Sequence, residues 1–177
     1  MWRWITPILL HANLTHIFYN LVMQLILGFR LEPTVGHSKT ILVYLLSGFG
    51  GILFSSLCNP GSIGVGASTS IFGLITAMII WVIIHWEDYP ESPYKCMTIV
   101  WLVMLLLFNF MFGFSVSGNT DNYGHLGGAI TGCFVGMCIF KPTYAQENKM
   151  WKYLGYGLLS VWLVLGFILF YTVVDVQ

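Results

Sequence analysis

Six apolar segments, separated by short polar breaks, restrict this chain to a helical membrane fold. They cover residues 14–31, 40–58, 68–86, 96–114, 124–140 and 153–174. A helix that crosses a bilayer needs about 20 mostly apolar residues, and all six segments are close to that length. The pattern predicts an all-α polytopic membrane protein with six transmembrane helices, forming a single domain over residues 1–177.

The composition supports this prediction and narrows the range of functions. Hydrophobic residues make up 57% of the chain and charged residues only 8%, whereas an average soluble domain has about 25% charged residues. The net charge is zero, so nothing indicates a nucleic acid as a partner. The four cysteines either share one predicted helix or lie at opposite ends of the membrane, and no Cys or His spacing predicts zinc. We expect no disulfide framework, no metal and no cofactor.

The basic residues predict how the helices are oriented. If alternate loops are cytoplasmic, beginning with the loop after the first helix, six of the seven basic residues are cytoplasmic. This is the positive-inside distribution. Only Arg3 is outside, and the six inside are Arg30, Lys39, Lys95, Lys141, Lys149 and Lys152.

With this orientation, polar residues of three predicted helices lie at the same outer depth. Ser68 and His125 begin their helices there, and His16 and Asn20 lie in the outer half of the first. Polar groups inside a membrane protein are costly and are candidates for function. A serine and a histidine are the minimum set for nucleophilic hydrolysis. We predict a site that opens to the extracellular or luminal side of a plasma or secretory-pathway membrane.

Ser68 follows Gly64 and Gly66, which allow a tight bend before the helix. At a helix N-terminus, unpaired N–H groups and the helix dipole favour negative charge, such as that of a tetrahedral intermediate. The alternative is a serine that only caps or packs the helix, with its hydroxyl bonded to the backbone.

His125 allows two interpretations as well. It is either a buried histidine bonded to a carbonyl group or a general base for Ser68. Asp121 lies in the predicted outer loop and is not an obvious third member. The sequence therefore favours a Ser–His dyad over a triad.

His16 and Asn20 are four residues apart and share one helix face. They are either a hydrogen-bonded pair that links helices or donors of an oxyanion hole. His11, five residues before His16, is expected to border the same pocket.

Small residues are spaced to let the helices approach closely. Gly128, Gly132 and Gly136 form a GxxxGxxxG stripe on the helix of His125, and Gly73 and Ala77 form a similar pair on the helix of Ser68. Such stripes are common in generic packing. Here they also predict contact between the two helices that carry Ser68 and His125.

Taken in order, these motifs resemble those of the rhomboid intramembrane serine proteases over residues 2–141. The matching positions are Trp2-Arg3; His11, His16 and Asn20; Gly28, Glu32 and Gly36; Gly66-Ala67-Ser68; Phe72, at an aromatic position that packs against the base; and His125, Gly128 and Gly132.

The resemblance implies a rhomboid-like helical bundle and a set of roles. Ser68 would be the nucleophile and His125 the general base and acid. His16, Asn20 and the backbone N–H of Ser68 would form the oxyanion hole. Substrates would be single-span membrane proteins, cut within or next to their transmembrane segment. The core helices would occupy residues 14–141, and residues 153–174 resemble the extra helix of six-plus-one rhomboids.

Two departures from the family pattern lead to further expectations. Thr69 replaces the glycine that usually follows the nucleophile; we expect its bulk to be tolerated and its hydroxyl to be able to bond locally. The first core helix of the family precedes the Trp-Arg loop, where this chain starts. We therefore expect this sequence to be an N-terminally incomplete version of a longer protein.

Two other functions compete with proteolysis. One is a catalytically inactive rhomboid-like protein that binds membrane clients in trafficking or quality control, although such relatives typically lose the serine or the histidine. The other is a channel or transporter fragment with a proton path through His11, His16 and His125. No inverted repeat supports the second alternative.

Overall fold

The computed structural model describes residues 4–61, 64–88, 94–116, 121–141 and 149–174, without the side chains of residues 112–116. A short turn of 3-10 helix at Trp86–Asp88 follows the fourth helix. The α-helices of the described residues are α1 (Thr6–Leu9), α2 (Leu14–Val35), α3 (His37–Cys58), α4 (Ser68–Ile84), α5 (Tyr94–Val116), α6 (Asn122–Ile139) and α7 (Lys149–Val173).

The predicted all-α fold is confirmed, and the six predicted segments correspond to α2 through α7. By length and composition, α2, α3, α7 and residues 94–111 of α5 are able to cross a membrane, and α4 is a shorter apolar helix. The short α1 is absent from the sequence prediction. It contains Pro7 in its first turn, where the missing N–H of proline removes no helical hydrogen bond.

The break predicted at residues 33–36 is wrong in its extent, because α2 continues through Pro33 to Val35. Only Gly36 separates α2 from α3, and its φ of 93° lets the chain turn within one residue. The Gly36 N–H donates to the carbonyl of Glu32 at 2.9 Å, and the Thr34 hydroxyl donates to that of Arg30 at 2.8 Å. These bonds satisfy the carbonyl groups of Glu32 and Arg30 at the end of the helix, on either side of Pro33.

The core of the bundle is α4, which is apolar on all sides and packs against both α3 and α6. Eleven of its 17 residues are buried. The helices α2, α5 and α7 lie at the periphery and expose many large apolar side chains, as expected for surfaces that face lipid. The fold therefore places Ser68, the first residue of α4, at one end of its central helix.

The predicted glycine contact between α4 and α6 is present. A Cβ atom added to Gly132 would collide with the backbone of Gly73, and one added to Gly128 would collide with the carbonyl of Thr69. The third member of the stripe, Gly136, has more room, with Ile80 at 3.3 Å from such an atom. The backbones of the two helices therefore touch over the turns nearest to Ser68 and His125.

A second glycine contact, which the sequence analysis missed, joins α3 to α6. A Cβ atom on Gly127 would lie 3.1 Å from the Gly50 carbonyl oxygen and from the Gly51 Cα, and one on Gly51 would lie 2.6 Å from the Gly124 carbonyl oxygen. The signal for it was the Gly48-Phe49-Gly50-Gly51 sequence. Because of both contacts, α6 has little freedom to move relative to α3 and α4.

We expect Gly132→Ala to destabilise the fold by about 1–3 kcal/mol, because the added methyl group meets backbone that cannot move aside. The measurement is thermal or denaturant unfolding in detergent micelles. Gly28→Ala is the matched control, since nothing lies within 4 Å of its added methyl group. Equal destabilisation of the two variants would contradict the close contact of α4 and α6.

Candidate active site

The loop before α4 has a conformation that only glycine adopts easily. Gly66 has a φ of 127°, and its N–H donates to the carbonyl of Pro7 at 2.8 Å. The segment around α1 therefore anchors the loop that leads into Ser68. As the first residue of α4, Ser68 also brings the unpaired N–H groups of a helix N-terminus to the site.

Ser68 and His125 meet at hydrogen-bond distance. The Ser68 Oγ and the His125 Nε2 are 2.8 Å apart, although the residues are 57 positions apart in the chain. His125 is 6% exposed, and its ring stacks on Phe72 with centroids 4.4 Å apart and planes 8° from parallel. Phe72 thus packs where the sequence analysis expected it, and it fixes the plane of the imidazole.

No carboxylate completes a triad among the described residues. The His125 Nδ1 is buried without a hydrogen-bond partner there. Asp121 instead caps the helix that carries His125, because its Oδ1 accepts from the N–H of Gly124 at 2.8 Å. Asp121 stabilises the start of α6, and the geometry agrees with a pair rather than a triad.

His16 and Asn20 share one face of α2, as their spacing predicts. That face lies beside the glycine loop. A Cβ atom on Gly66 would be 2.8 Å from the His16 Nε2 and 3.4 Å from the Asn20 Nδ2. Asn20 is 3% exposed, and its Nδ2 has no partner among the described residues. A buried amide donor without an acceptor is costly, and this one lies beside Gly66, two residues before Ser68.

His11 contacts His16, with which the sequence predicts that it shares a pocket. Their rings are edge to face, with centroids 5.2 Å apart. The His11 Nδ1 lies 3.3 Å from the carbonyl oxygen of Leu9. His11 therefore lies next to a predicted oxyanion donor.

Thr69 is accommodated by glycines on the neighbouring helices. Its side chain is 5% exposed, and its methyl group would be 3.0 Å from a Cβ atom on Gly124. The hydroxyl makes no local bond, because the Thr69 Oγ1 is buried without a partner among the described residues. Gly51 and Gly124, which face the Thr69 Cβ and methyl group, supply the room that the larger residue needs.

The other supporting residues fall where the sequence predicts, except for one motif. Gly128 and Gly132 lie at the contact with α4. Trp2 and Arg3 lie outside the described residues. The sequence analysis missed the Pro7 carbonyl, for which it offers no signal, and the capping role of Asp121, for which the signal was an acidic residue directly before the apolar segment.

The fold and this site define a polytopic helical membrane protein with a partly buried serine–histidine pair at the end of its central helix. A model of the rhomboid domain matches residues 1–142, and the chain belongs to the rhomboid family. Similar proteins include RHOMBOID-like protein 1 of Arabidopsis thaliana, which is 35% identical over 158 residues that cover 89% of this chain and 39% of that protein.

Two further relatives differ in what their names state. Rhomboid-like protease 3 of Toxoplasma gondii is 34% identical over 157 residues, covering 89% of this chain and 58% of that protein. The RHOMBOID-like protein 6, mitochondrial, of Arabidopsis thaliana is 35% identical over 151 residues, covering 85% of this chain and 46% of that protein. The chain thus spans about half the length of the curated relatives it matches. At the family level, these matches support an integral membrane protein related to intramembrane proteases.

We expect Gly66→Ala to abolish the reactivity of Ser68 towards a fluorophosphonate probe, because the added methyl group both strains a φ of 127° and collides with the His16 ring. Labelling is read after gel electrophoresis of the purified protein. Gly61→Ala, in the same loop with nothing within 4 Å of its added methyl group, should label normally. Normal labelling of Gly66→Ala would show that the loop does not need this conformation.

Proposed function

We propose that this chain is an intramembrane serine endopeptidase that cleaves single-span membrane proteins with a Ser68–His125 dyad. The observation that carries the proposal is the 2.8 Å separation of the Ser68 Oγ and the His125 Nε2. A serine that only capped its helix would have no reason to meet a buried imidazole from a distant helix. The membership of the rhomboid family and the relatives named proteases support the same function.

The acylation step follows from the geometry of the pair. For His125 to act as a base, its neutral ring carries the proton on Nδ1 and offers the Nε2 lone pair to the Ser68 hydroxyl. As the Ser68 Oγ attacks the peptide carbonyl, its proton passes to Nε2. The imidazolium then protonates the leaving amine when the C–N bond breaks, and an acyl-enzyme on Ser68 remains.

Water completes the reaction with a second proton transfer through His125, since the proton that came from Ser68 has left with the amine. His125 takes a proton from the attacking water and returns it to the Ser68 Oγ as the ester bond breaks, which releases the new carboxyl end. In both steps the carbonyl oxygen carries negative charge. The Asn20 amide, the His16 imidazole and the Ser68 N–H would donate hydrogen bonds to it.

The substrate must unwind locally before it can be cut. Carbonyl groups of an intact transmembrane helix are hydrogen-bonded within the helix and shielded from attack. Small residues at the cut and helix-breaking residues nearby should therefore favour cleavage. The exposed apolar surfaces of α2 and α5 are suited to lipid contact, so a substrate would reach the site from the bilayer.

The loop charges support a site that faces the extracellular or luminal side. Ser68 and His125 begin their helices at the ends opposite to most of the basic residues. We assign the protein to the plasma membrane or a secretory-pathway membrane. The name of one relative states a mitochondrial location, and fractionation of the tagged protein distinguishes these membranes.

Ser68→Ala and His125→Asn should each reduce cleavage of a model single-span substrate by at least about a thousandfold, because nucleophile and base act as a unit. Ser68→Ala should also abolish fluorophosphonate labelling. Ser56→Ala is the control serine, since its hydroxyl donates to the Ile52 carbonyl of its own helix at 2.8 Å, and it should cleave normally. Cleavage that persists in Ser68→Ala would contradict the proposal. If the wild-type protein binds the substrate but does not cleave it, the result would favour a client-binding rhomboid-like protein.

Asn20→Ala should lower kcat about a hundredfold or more and leave KM nearly unchanged, because an oxyanion donor acts mainly in the transition state. Steady-state kinetics on the same substrate measures this split. His16→Ala should show the same pattern. If instead KM rises while kcat is retained, Asn20 binds substrate and is not an oxyanion donor.

A further inference from the structure

The last helix, α7, lies beyond residue 142, where the match to the rhomboid domain ends, yet it packs on α6 and α3. A Cβ atom on Gly155 would lie 2.8 Å from the Met137 Cβ and 2.9 Å from the backbone nitrogen of Cys138. One on Gly166 would lie 2.7 Å from a methyl group of Leu53 on α3. The backbone of α7 is therefore in close contact with the helix that carries His125 and with its neighbour.

A hydrogen-bond relay runs from α7 into the helix of His125. The Trp162 Nε1 donates to the Thr131 Oγ1 at 3.0 Å, and the Thr131 hydroxyl donates to the Gly127 carbonyl at 2.7 Å. Thr131 is 1% exposed, so both bonds are shielded from water. The relay ends on the carbonyl of the second residue after His125.

An aromatic cluster connects α7 to the segment that anchors the nucleophile loop. The Trp4 ring centroid lies 4.9 Å from that of Phe170 and 5.9 Å from that of Phe167. Three residues after Trp4, the Pro7 carbonyl accepts the hydrogen bond from Gly66. The contacts of Trp4 with α7 therefore hold the segment of residues 4–7, which sets the position of the loop before Ser68.

We propose that α7 is a positioning element of the active site, with Trp162, Phe167 and Phe170 as positioning residues. Trp162 acts on His125 through Thr131, and the two phenylalanines act on Gly66 through Trp4 and Pro7. None of the three touches the dyad.

The need for such support follows from the dyad itself. The His125 Nδ1 has no partner among the described residues, so no carboxylate orients the ring. Its orientation depends on the Phe72 stack and on the placement of α6. This inference rests on the proposed function, but it concerns a helix that takes no part in the chemistry. If α7 were only a further membrane anchor, changes in its contacts would alter stability and leave catalysis unchanged.

The kinetic test compares Trp162→Phe, which keeps an aromatic ring but loses the donor, with Thr131→Val and Thr131→Ser. We expect Trp162→Phe and Thr131→Val to lower kcat several-fold to about tenfold with KM within twofold of wild type, as the loss of one buried hydrogen bond allows. Thr131→Ser keeps the hydroxyl and should therefore retain the wild-type kcat that Thr131→Val loses. The double variant should be no slower than the slower single variant, because both changes break one relay.

Trp151→Phe, the same change near the other end of α7, is the control and should retain the wild-type kcat. Wild-type kcat in Trp162→Phe would overturn the inference. So would a kcat loss of equal size in Trp151→Phe, because it would reveal a general effect of the helix on stability.

A second measurement does not require proteolysis. In the Phe167→Leu/Phe170→Leu variant, the peptide that covers residues 64–68 should exchange its amide hydrogens faster than in wild type, because the Gly66 N–H loses its fixed acceptor. Tyr156→Leu, an exposed change on α7, is the control. Unchanged exchange would overturn the coupling of α7 to the loop. An inactive wild type with faster exchange in the double variant would contradict the proposed function and still support the coupling.

Discussion

The contact between the backbones of α4 and α6 is the constraint on which the site depends. The Ser68–His125 hydrogen bond contributes on the order of 1 kcal/mol, too little to hold two helices together. Packing must bring them to that distance. Gly128 and Gly132 lie directly on Thr69 and Gly73, and any larger residue there would push the helices apart. The position of the imidazole thus depends on Gly128 and Gly132, which have no side chain and lie within two turns of His125 on the same helix.

Two other glycines explain how the chain accommodates its departure from the family pattern. The Thr69 side chain fills space that Gly51 on α3 and Gly124 on α6 leave open, so neighbouring helices and not the dyad accommodate the extra bulk. Its buried hydroxyl makes no hydrogen bond among the described residues, and each such group costs about 1–3 kcal/mol. Thr69 therefore lowers the stability of the α4–α6 interface without displacing Ser68.

Three residues of the predicted site have a buried polar atom without a hydrogen-bond partner among the described residues, which is physically consistent with a site built for a transient charge. Among the described residues, the Asn20 Nδ2, the His125 Nδ1 and the His11 Nε2 belong to this group. A fold selected for stability alone would pair or remove them. Their cost is offset by the apolar packing of α4, whose faces are buried on several sides. The rigid centre of the bundle thus supports a polar end that stability would not favour.

The sequence by itself determined the helical membrane fold, the candidate pair Ser68 and His125, the shared face of His16 and Asn20, and the glycine stripe of α6. Each follows from a local pattern: segment length, loop charge, or spacing at three and four residues. Only the tertiary structure decided that α2 runs through Pro33, that the Pro7 carbonyl holds Gly66, that Asp121 caps α6 and that Trp162 reaches Thr131. Apart from the Asp121 cap, for which a local signal existed, these features depend on carbonyl groups and side chains far apart in the chain or on turn geometry. No periodicity records which segments will meet, because that is set by how the packed helices fill space together.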